Sequence, residues 1–327
     1  PDSTLYDGQV ADRSVAAMRK FAANEDGSPF FLAVGFLKPH LPFIAPKRYW
    51  DLYDPTTLEI TKLRNPPVGV PTPAIDVVLD ELRDSYPWDV RVDAATGQPV
   101  SDDAVYEMPA KGELLPEQER RLLHGYYACV SFVDAQVGKI TSELEKLGLA
   151  ENTIVVVWGD HGYHLGELSL WSKFTNFELG TRSPLVVYDP RVRSPRHRTD
   201  ALVEFVDIYP GLCDLAGLPQ PADLEGTSFA PLLENPDRRW KEAAFSQYPR
   251  RDLMGYTVRT DRYRYTEWRQ EEGRGATVGT ELYDHAVDPD ETMNRAQDPA
   301  YQAARAAMTL VLKQGWRAIP QPFVPSS

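Results

Sequence analysis

Three short apolar runs with no polar break constrain this chain most. They lie at 29–36, 153–158 and 184–188. A strand with one wet face alternates apolar and polar residues. An unbroken run reads instead as a strand buried on both faces, the habit of parallel sheets. Helical spacing fills the intervals. Val10, Val15, Met18 and Phe21 recur roughly every turn between 7 and 23. Leu123, Tyr126, Val130, Val133, Val137, Ile140, Leu144 and Leu147 step by threes and fours. Pro116 suits the first turn of that long helix, and Gly148 suits the position just past its end. Phe205, Ile208, Tyr209, Leu212 and Leu215 mark a third helix over 204–216. Buried strands alternating with helices predict an α/β fold with a mainly parallel central sheet flanked by helices.

The pattern changes after about residue 235. Residues 256–268 alternate around Thr260 and Asp261, which reads as an antiparallel hairpin. A strand is expected at 281–284 and a closing helix at 299–315. The domains are therefore expected at 1–235, the α/β part, and 236–327, a smaller α+β subdomain with an antiparallel sheet. Residues 54–110 are irregular and carry Pro55, Pro66, Pro67, Pro71, Pro73, Pro87, Pro99 and Pro109. A loop of that length is usually functional or mobile. Residues 273–279 read as a polar, glycine-containing loop.

Lys and Arg total 35 against 48 Asp and Glu, a net charge of −13. That sheath of negative charge argues against general binding to nucleic acid or anionic membranes. It leaves room for a cation site built from carboxylates. No apolar run approaches the roughly 20 residues of a membrane span. The two cysteines, Cys129 and Cys213, sit in apolar, helix-like stretches and read as free buried thiols. The chain opens in a polar stretch, without methionine, which fits a cut end.

Chemistry concentrates where strands end, the place where open α/β sheets collect ligands. The run at 153–158 ends in Gly159, Asp160, His161 and Gly162. Asp160 offers a hard oxygen to a cation such as calcium, or it simply caps the next segment. The run at 29–36 ends in Lys38, Pro39, His40, Leu41 and Pro42. The two prolines stiffen that turn and fix where His40 points. A positioned histidine can protonate a leaving oxygen; a packed surface histidine would look the same in sequence. Lys173 follows Asp160 closely. A lysine beside a cation site makes electrostatic sense when an anion lies between them, as in a phosphate or sulfate pocket. Arg191, Arg193, Arg196 and Arg198 form a basic run that reads as a solvated loop or as a contact for a polyanion. Tyr256, Tyr263, Tyr265 and Trp268 read as core.

Taken together, these residues resemble a sulfatase of the alkaline-phosphatase superfamily, and its iduronate sulfatases most of all. The matching stretches run in order along nearly the whole chain: 28–35 with Lys38, Pro39 and His40; Gly159 to Gly162 with 165–167; 171–177; 181–185; 205–210; 246–250; 254–256; 259–260; 263–265; and 281–283. The middle loop matches least. The resemblance implies an alkaline-phosphatase-like sulfatase fold and hydrolysis of a sulfate ester on a uronic acid or related sugar. It implies Ca2+, and as nucleophile a formylglycine whose hydrate attacks sulfur. Asp160 and His161 would be metal ligands, although imidazole is a soft choice for calcium. His40 would contact the sulfate and protonate the leaving oxygen, and Lys173 would neutralise developing charge. Lys38 joins them as a substrate-binding candidate.

Two departures qualify the match. Neither cysteine lies in the family's Cys-x-Pro-Ser-Arg motif, and its paired-aspartate motif is missing as well. The family places both upstream. The expectation is thus a C-terminal portion of a sulfatase, inactive by itself and partnered by an N-terminal segment or second chain. Leu168 and Ser169 stand where the iduronate sulfatases carry His-Gly. A phosphatase or phosphonate hydrolase of the same superfamily is the alternative, and a non-catalytic glycan-binding derivative is another. Sulfated polysaccharides lie outside the cytosol, so export (secreted, periplasmic or lysosome-like) is expected.

Overall fold

The long helix expected from Pro116 onward is present as α2 (Pro116–Lys146). In the computed structural model the described residues are 1–24, 26–76, 82, 114, 116–192, 198–270 and 275–318. Most of the 77–113 stretch, Arg193 and Arg196 of the basic run, and Gly273 of the polar loop lie outside them. Two compact units divide the chain. One holds Pro1–Arg64, Val78–Thr153 and Leu165–Trp171; the other holds Asn65–Val77, Ile154–His164 and Ser172–Ser327.

In the first unit α1 (Tyr6–Ala22) packs along α2. Gly148 closes α2 at φ +68°, and the Leu149 amide reaches back to the Leu144 carbonyl at 3.0 Å. That is the left-handed ending glycine permits. The buried face of α2 differs from the expected stripe. Leu123 and Leu144 of that stripe are buried, but Val130 is exposed, and Leu122, Gly125, Cys129, Phe132, Gln136 and Glu143 are buried as well. The polar residues on the buried face find partners. Gln136 donates to Asp2 at 2.9 Å, and Glu143 accepts from Arg19 at 2.7 Å. Gly125 is required by close approach, since a Cβ there would lie 2.9 Å from the Phe43 side chain. Tyr49, Ala128 and Phe132 form the core beside it.

The run at 29–36 forms no strand and pairs with none among the described residues. From Phe30 to Lys38 its residues alternate between half-buried and exposed, with Phe31 at 81%. The expectation of a doubly buried parallel strand is corrected here. Only one side of the run meets protein, so it has the period of a half-covered strand.

The second unit carries β1 (Val155–Trp158) and β2 (Leu185–Tyr188), which pair antiparallel with Val156 opposite Val187. The parallel pairing expected between these two runs is corrected by this antiparallel register. Leu185 and Val187 face a core of Ile208, Leu215, Phe229, Leu232 and Trp240; Val186 and Tyr188 stay exposed. Helix α3 (Ile208–Leu215) supplies that core, preceded by a short 3-10 turn. A capping box between Glu204 and Asp207 starts the turn. Buried Lys241 bonds both carboxylates, at 2.9 and 2.5 Å.

Beyond it the chain makes a four-stranded meander of β3 (Ala244–Arg250), β4 (Leu253–Arg259), β5 (Tyr263–Gln270) and β6 (Thr277–Asp284). The hairpin turns at Thr260 and Asp261, as the alternation predicts. Tyr265 and Trp268 are buried, in keeping with a core role. Helix α4 (Gln302–Gln314) packs Met308 onto Val258, Tyr265 and Leu282. Truncating a fully buried residue such as Leu282 to alanine costs about 2–5 kcal/mol.

Candidate active site

In the second unit β1 leads straight into Gly159, Asp160, His161 and Gly162. Both glycines are demanded by packing. A Cβ on Gly162 would sit 2.0 Å from the Leu179 carbonyl oxygen, and one on Gly159 would sit 2.6 Å from Ser183 Oγ. Ser183 Oγ donates to the Gly159 carbonyl at 2.7 Å, and the Gly162 amide donates to the Gly180 carbonyl at 3.1 Å. The turn between them is therefore held at both ends and presents Asp160 and His161 outward.

His161 Nδ1 lies 2.7 Å from the Gly162 carbonyl. A carbonyl only accepts, so Nδ1 carries the proton and the neutral ring has its lone pair on Nε2. That Nε2 lies 3.6 Å from Asp160 Oδ1. Two ligands at right angles around a calcium-sized ion stand about 3.4 Å apart. The donor pair thus fits a cation, with one hard oxygen and one imidazole nitrogen. The Asp160 side chain is 86% exposed, so its carboxylate is open to solvent.

Lys173 belongs to the same unit. Its ammonium lies 5.0 Å from the centre of the Phe174 ring, which packs on Tyr248 at 6.0 Å. Arg250 stacks on Tyr248 and donates to the carbonyls of Pro73, at 3.1 Å, and Phe174. Burial lowers the Arg250 pKa. Sequence reading assigned Arg250 no role; its grip on the Phe174 carbonyl fixes the backbone beside Lys173.

Lys38 and His40 lie in the first unit. Asp7, on the first turn of α1 and buried, accepts the amides of Leu37 and Lys38 at 2.8 and 2.9 Å. Lys38 Nζ donates to the carbonyls of His40 and Pro42 at 2.8 and 2.7 Å. His40 Nδ1 donates to the Leu41 carbonyl at 2.6 Å, which again leaves the lone pair on Nε2 of the neutral ring. The structure brings Asp160 and His161 together in one unit, along with Lys173, and Lys38 and His40 together in the other.

Leu168 and Ser169, the two departures from the iduronate sulfatases, both take left-handed backbone, φ 59° and 62°. Leu168 is buried, and its amide donates to the Leu63 carbonyl at 2.6 Å. A leucine in that conformation is uncommon and costly. Nothing in the residue types announces it.

Glu178, His285 and Glu291 converge closely enough to suggest a metal site. Their charges are already matched. Arg264 Nε lies 2.7 Å from Glu291 and its other nitrogen pairs with Glu178; Arg259 reaches Glu178 at 3.1 Å, and His285 reaches Glu291 at 2.9 Å. Burial alone would raise the Glu178 carboxyl, yet Arg264 and Arg259 outweigh it and hold the group below its ordinary value. A divalent cation there would face two guanidiniums, so the cluster is a buried ion-pair network. Cys129 and Cys213 are free and buried, as expected, and burial pushes the Cys129 thiol up to about 12. At neutral pH that thiol is protonated and a poor nucleophile.

A family profile described as Sulfatase matches residues 2–218, and one described as N-sulphoglucosamine sulphohydrolase, C-terminal, matches 166–317. Iduronate 2-sulfatase of Mus musculus is 32% identical over 82% of this chain and 56% of its own length. The chain spans about half the length of the curated relatives it matches. A protein solved with its substrate D-glucosamine-2-N,6-O-disulfate superposes with a TM-score of 0.76 at 21% identity, covering 95% of this chain and 69% of the other. A phosphonate monoester hydrolase from Silicibacter pomeroyi superposes at 0.72 with 22% identity, covering 98% and 62%. These likenesses concern the fold, and they agree with the alkaline-phosphatase-like sulfatase fold that the resemblance implied. No helix among the described residues is long and apolar enough to cross a membrane.

Proposed function

The chain belongs to the sulfatase family, and on that premise we propose that it is the metal- and proton-handling part of a sulfate-ester hydrolase acting on a uronate 2-O-sulfate or a related polysaccharide sulfate. The observation that carries this reading is the Asp160–His161 pair. It is a carboxylate and an imidazole lone pair 3.6 Å apart, held out by a turn whose two glycines cannot be replaced without a clash. Asp160 and His161 would hold a calcium ion, which would supply positive charge to the sulfate oxygens. Asp160 contributes the hard ligand, and His161 is aimed by its own Nδ1 proton. Lys173 adds a cation that stabilises negative charge developing on the departing group. His40, once protonated on Nε2, delivers a proton to the leaving alcohol oxygen, while its Nδ1 proton stays on the Leu41 carbonyl.

Neither cysteine of this chain fits the formylglycine motif, so the nucleophile and the remaining metal ligands are assigned to a segment of the same sulfatase outside this chain. The exposed faces of Val186 and Tyr188 are surfaces such a segment would cover. Residues 236–327 are assigned as a C-terminal subdomain within the second unit, and the protein is expected to work outside the cytosol, where sulfated polysaccharides lie.

The phosphonate hydrolases share this fold at 22–23% identity, so phosphonate and phosphate esters are the second reading. The test uses the full-length protein with its upstream segment. Release of sulfate from 2-O-sulfated uronates, lost in Asp160→Asn, supports the proposal. Turnover of phosphonate monoesters without sulfate release would replace it with the second reading.

A further inference from the structure

The turn that carries His40 has a construction problem. Pro39 and Pro42 lack amide hydrogens, so the turn is short of backbone donors; its His40 amide donates to the Leu37 carbonyl at 2.8 Å. Two charged side chains brace it, Asp7 as acceptor and Lys38 as donor. Asp7 takes the amides of Leu37 and Lys38, one on each carboxylate oxygen, at 2.8 and 2.9 Å. Lys38 sends its ammonium back over the turn to the carbonyls of His40 and Pro42, at 2.8 and 2.7 Å. The carbonyl between those two belongs to Leu41, and it is the acceptor for His40 Nδ1 at 2.6 Å. The acceptor that sets the His40 tautomer is thus flanked on both sides by carbonyls the lysine holds.

We propose that Lys38 is a positioning residue: with Asp7 it fixes the Leu41 carbonyl, and through it the orientation and tautomer of His40, and it does not itself bind the sulfate group. The inference rests on reading His40 as the proton donor, and it reassigns Lys38 from the substrate-binding role its sequence position suggests. Two of the three ammonium hydrogens are committed to backbone carbonyls. The side chain is half-buried, and burial lowers its pKa while Asp7 and the Cys129 site act in the opposite sense. Asp7 is 1% exposed, so it cannot reach a substrate at all. Any effect it has on turnover must pass through the turn.

The experiment compares Lys38→Met and Asp7→Asn in the full-length protein. Each is measured for kcat, KM and the inhibition constant of inorganic sulfate, and for the ring 15N shifts of His40. Both variants are expected to lower kcat by about 10- to 100-fold, as small misplacements of catalytic groups do. KM and the sulfate inhibition constant should stay within about twofold. The double variant should lose little more than either single one, because the residues act on one element. The 15N shifts should move from a fixed Nδ1–H form in the parent to a tautomer mixture in both variants. A rise of about tenfold or more in the sulfate inhibition constant for Lys38→Met, with kcat intact, would overturn the proposal and restore direct sulfate binding. So would an unchanged His40 tautomer in both variants. An inactive parent would sink the sulfatase reading alone. The ring shifts would then still decide whether Lys38 and Asp7 hold the His40 turn.

Discussion

Arg264 Nε lies 2.7 Å from Glu291 Oε1, and the two side chains are 3% and 2% exposed. A pair this deep stabilises little relative to apolar packing, but breaking it leaves a charge with no water to turn to. Glu291→Ala is expected to destabilise the second unit by about 3–5 kcal/mol. Because Arg264 also bonds Glu178 and the Asn176 carbonyl, the double replacement Arg264→Met with Glu291→Leu should recover part of that loss. Urea unfolding of the parent, single and double variants checks both statements.

His164 gives the fold an acid-side weakness. It is buried, with Nε2 2.8 Å from Thr175 Oγ1, and burial pushes its pKa down to about 4. The unfolded chain takes up a proton near pH 6.5, well before the folded one does. Stability is therefore full above pH 6.5 and is lost as pH falls from there towards 4. The loss amounts to about 3 kcal/mol from this group. His164→Gln should flatten that slope, read from melting temperatures at pH 7 and pH 4.5.

Glu281 acts in the other direction. Burial raises its carboxyl to about 7, although Trp268 Nε1 and the Tyr283 hydroxyl donate to it at 2.7 and 2.8 Å. The unfolded chain ionises near 4.5, so stability falls as pH rises from 4.5 to 7 and is level above that. Glu281→Gln should gain stability relative to the parent across that window, by a margin that grows with pH. Melting curves of the variant at pH 5 and pH 8 are the measurement. The two slopes partly cancel between pH 4.5 and 6.5, so each needs its own variant.

Replacing Gly162 tests whether the turn proposed to bind metal depends on its backbone. Gly162→Ala forces a Cβ against the Leu179 carbonyl, and overpacking of this kind costs about 1–3 kcal/mol. Displacing Asp160 and His161 should also weaken calcium binding by about tenfold or more, as disturbing the supports of a ligand set does. Calorimetric titration of the full-length protein with calcium gives the affinity. Retained affinity would mean that Asp160 and His161 do not form the site.

Sequence patterning located the elements better than the faces they bury. Gly148, the hairpin at Thr260 and Asp261, and the start at Pro116 carry local signals strong enough to place ends. The buried face of α2 was hidden because Gln136 and Glu143 are polar, and only their distant partners Asp2 and Arg19 make burial tolerable. The direction of β1 against β2 was hidden because an unbroken apolar run carries no signal for the direction of its neighbour. In the candidate site, the glycines around Asp160 and His161 mark a tight turn in the sequence, and packing against Leu179 and Ser183 explains both of them. The Asp7–Lys38 brace was not, since it joins residues thirty positions apart through backbone groups that every sequence possesses.

The run from Phe30 to Lys38 has a consequence for handling the molecule. Its side chains already alternate, and its edge meets no strand among the described residues. Asp7 secures it only at the Leu37 and Lys38 amides. Such an edge is a template on which another copy can lay its own. Loss of monomer from a stored preparation should therefore rise steeply with concentration. A lysine at Phe31, pointing outward, should slow it without touching the interior.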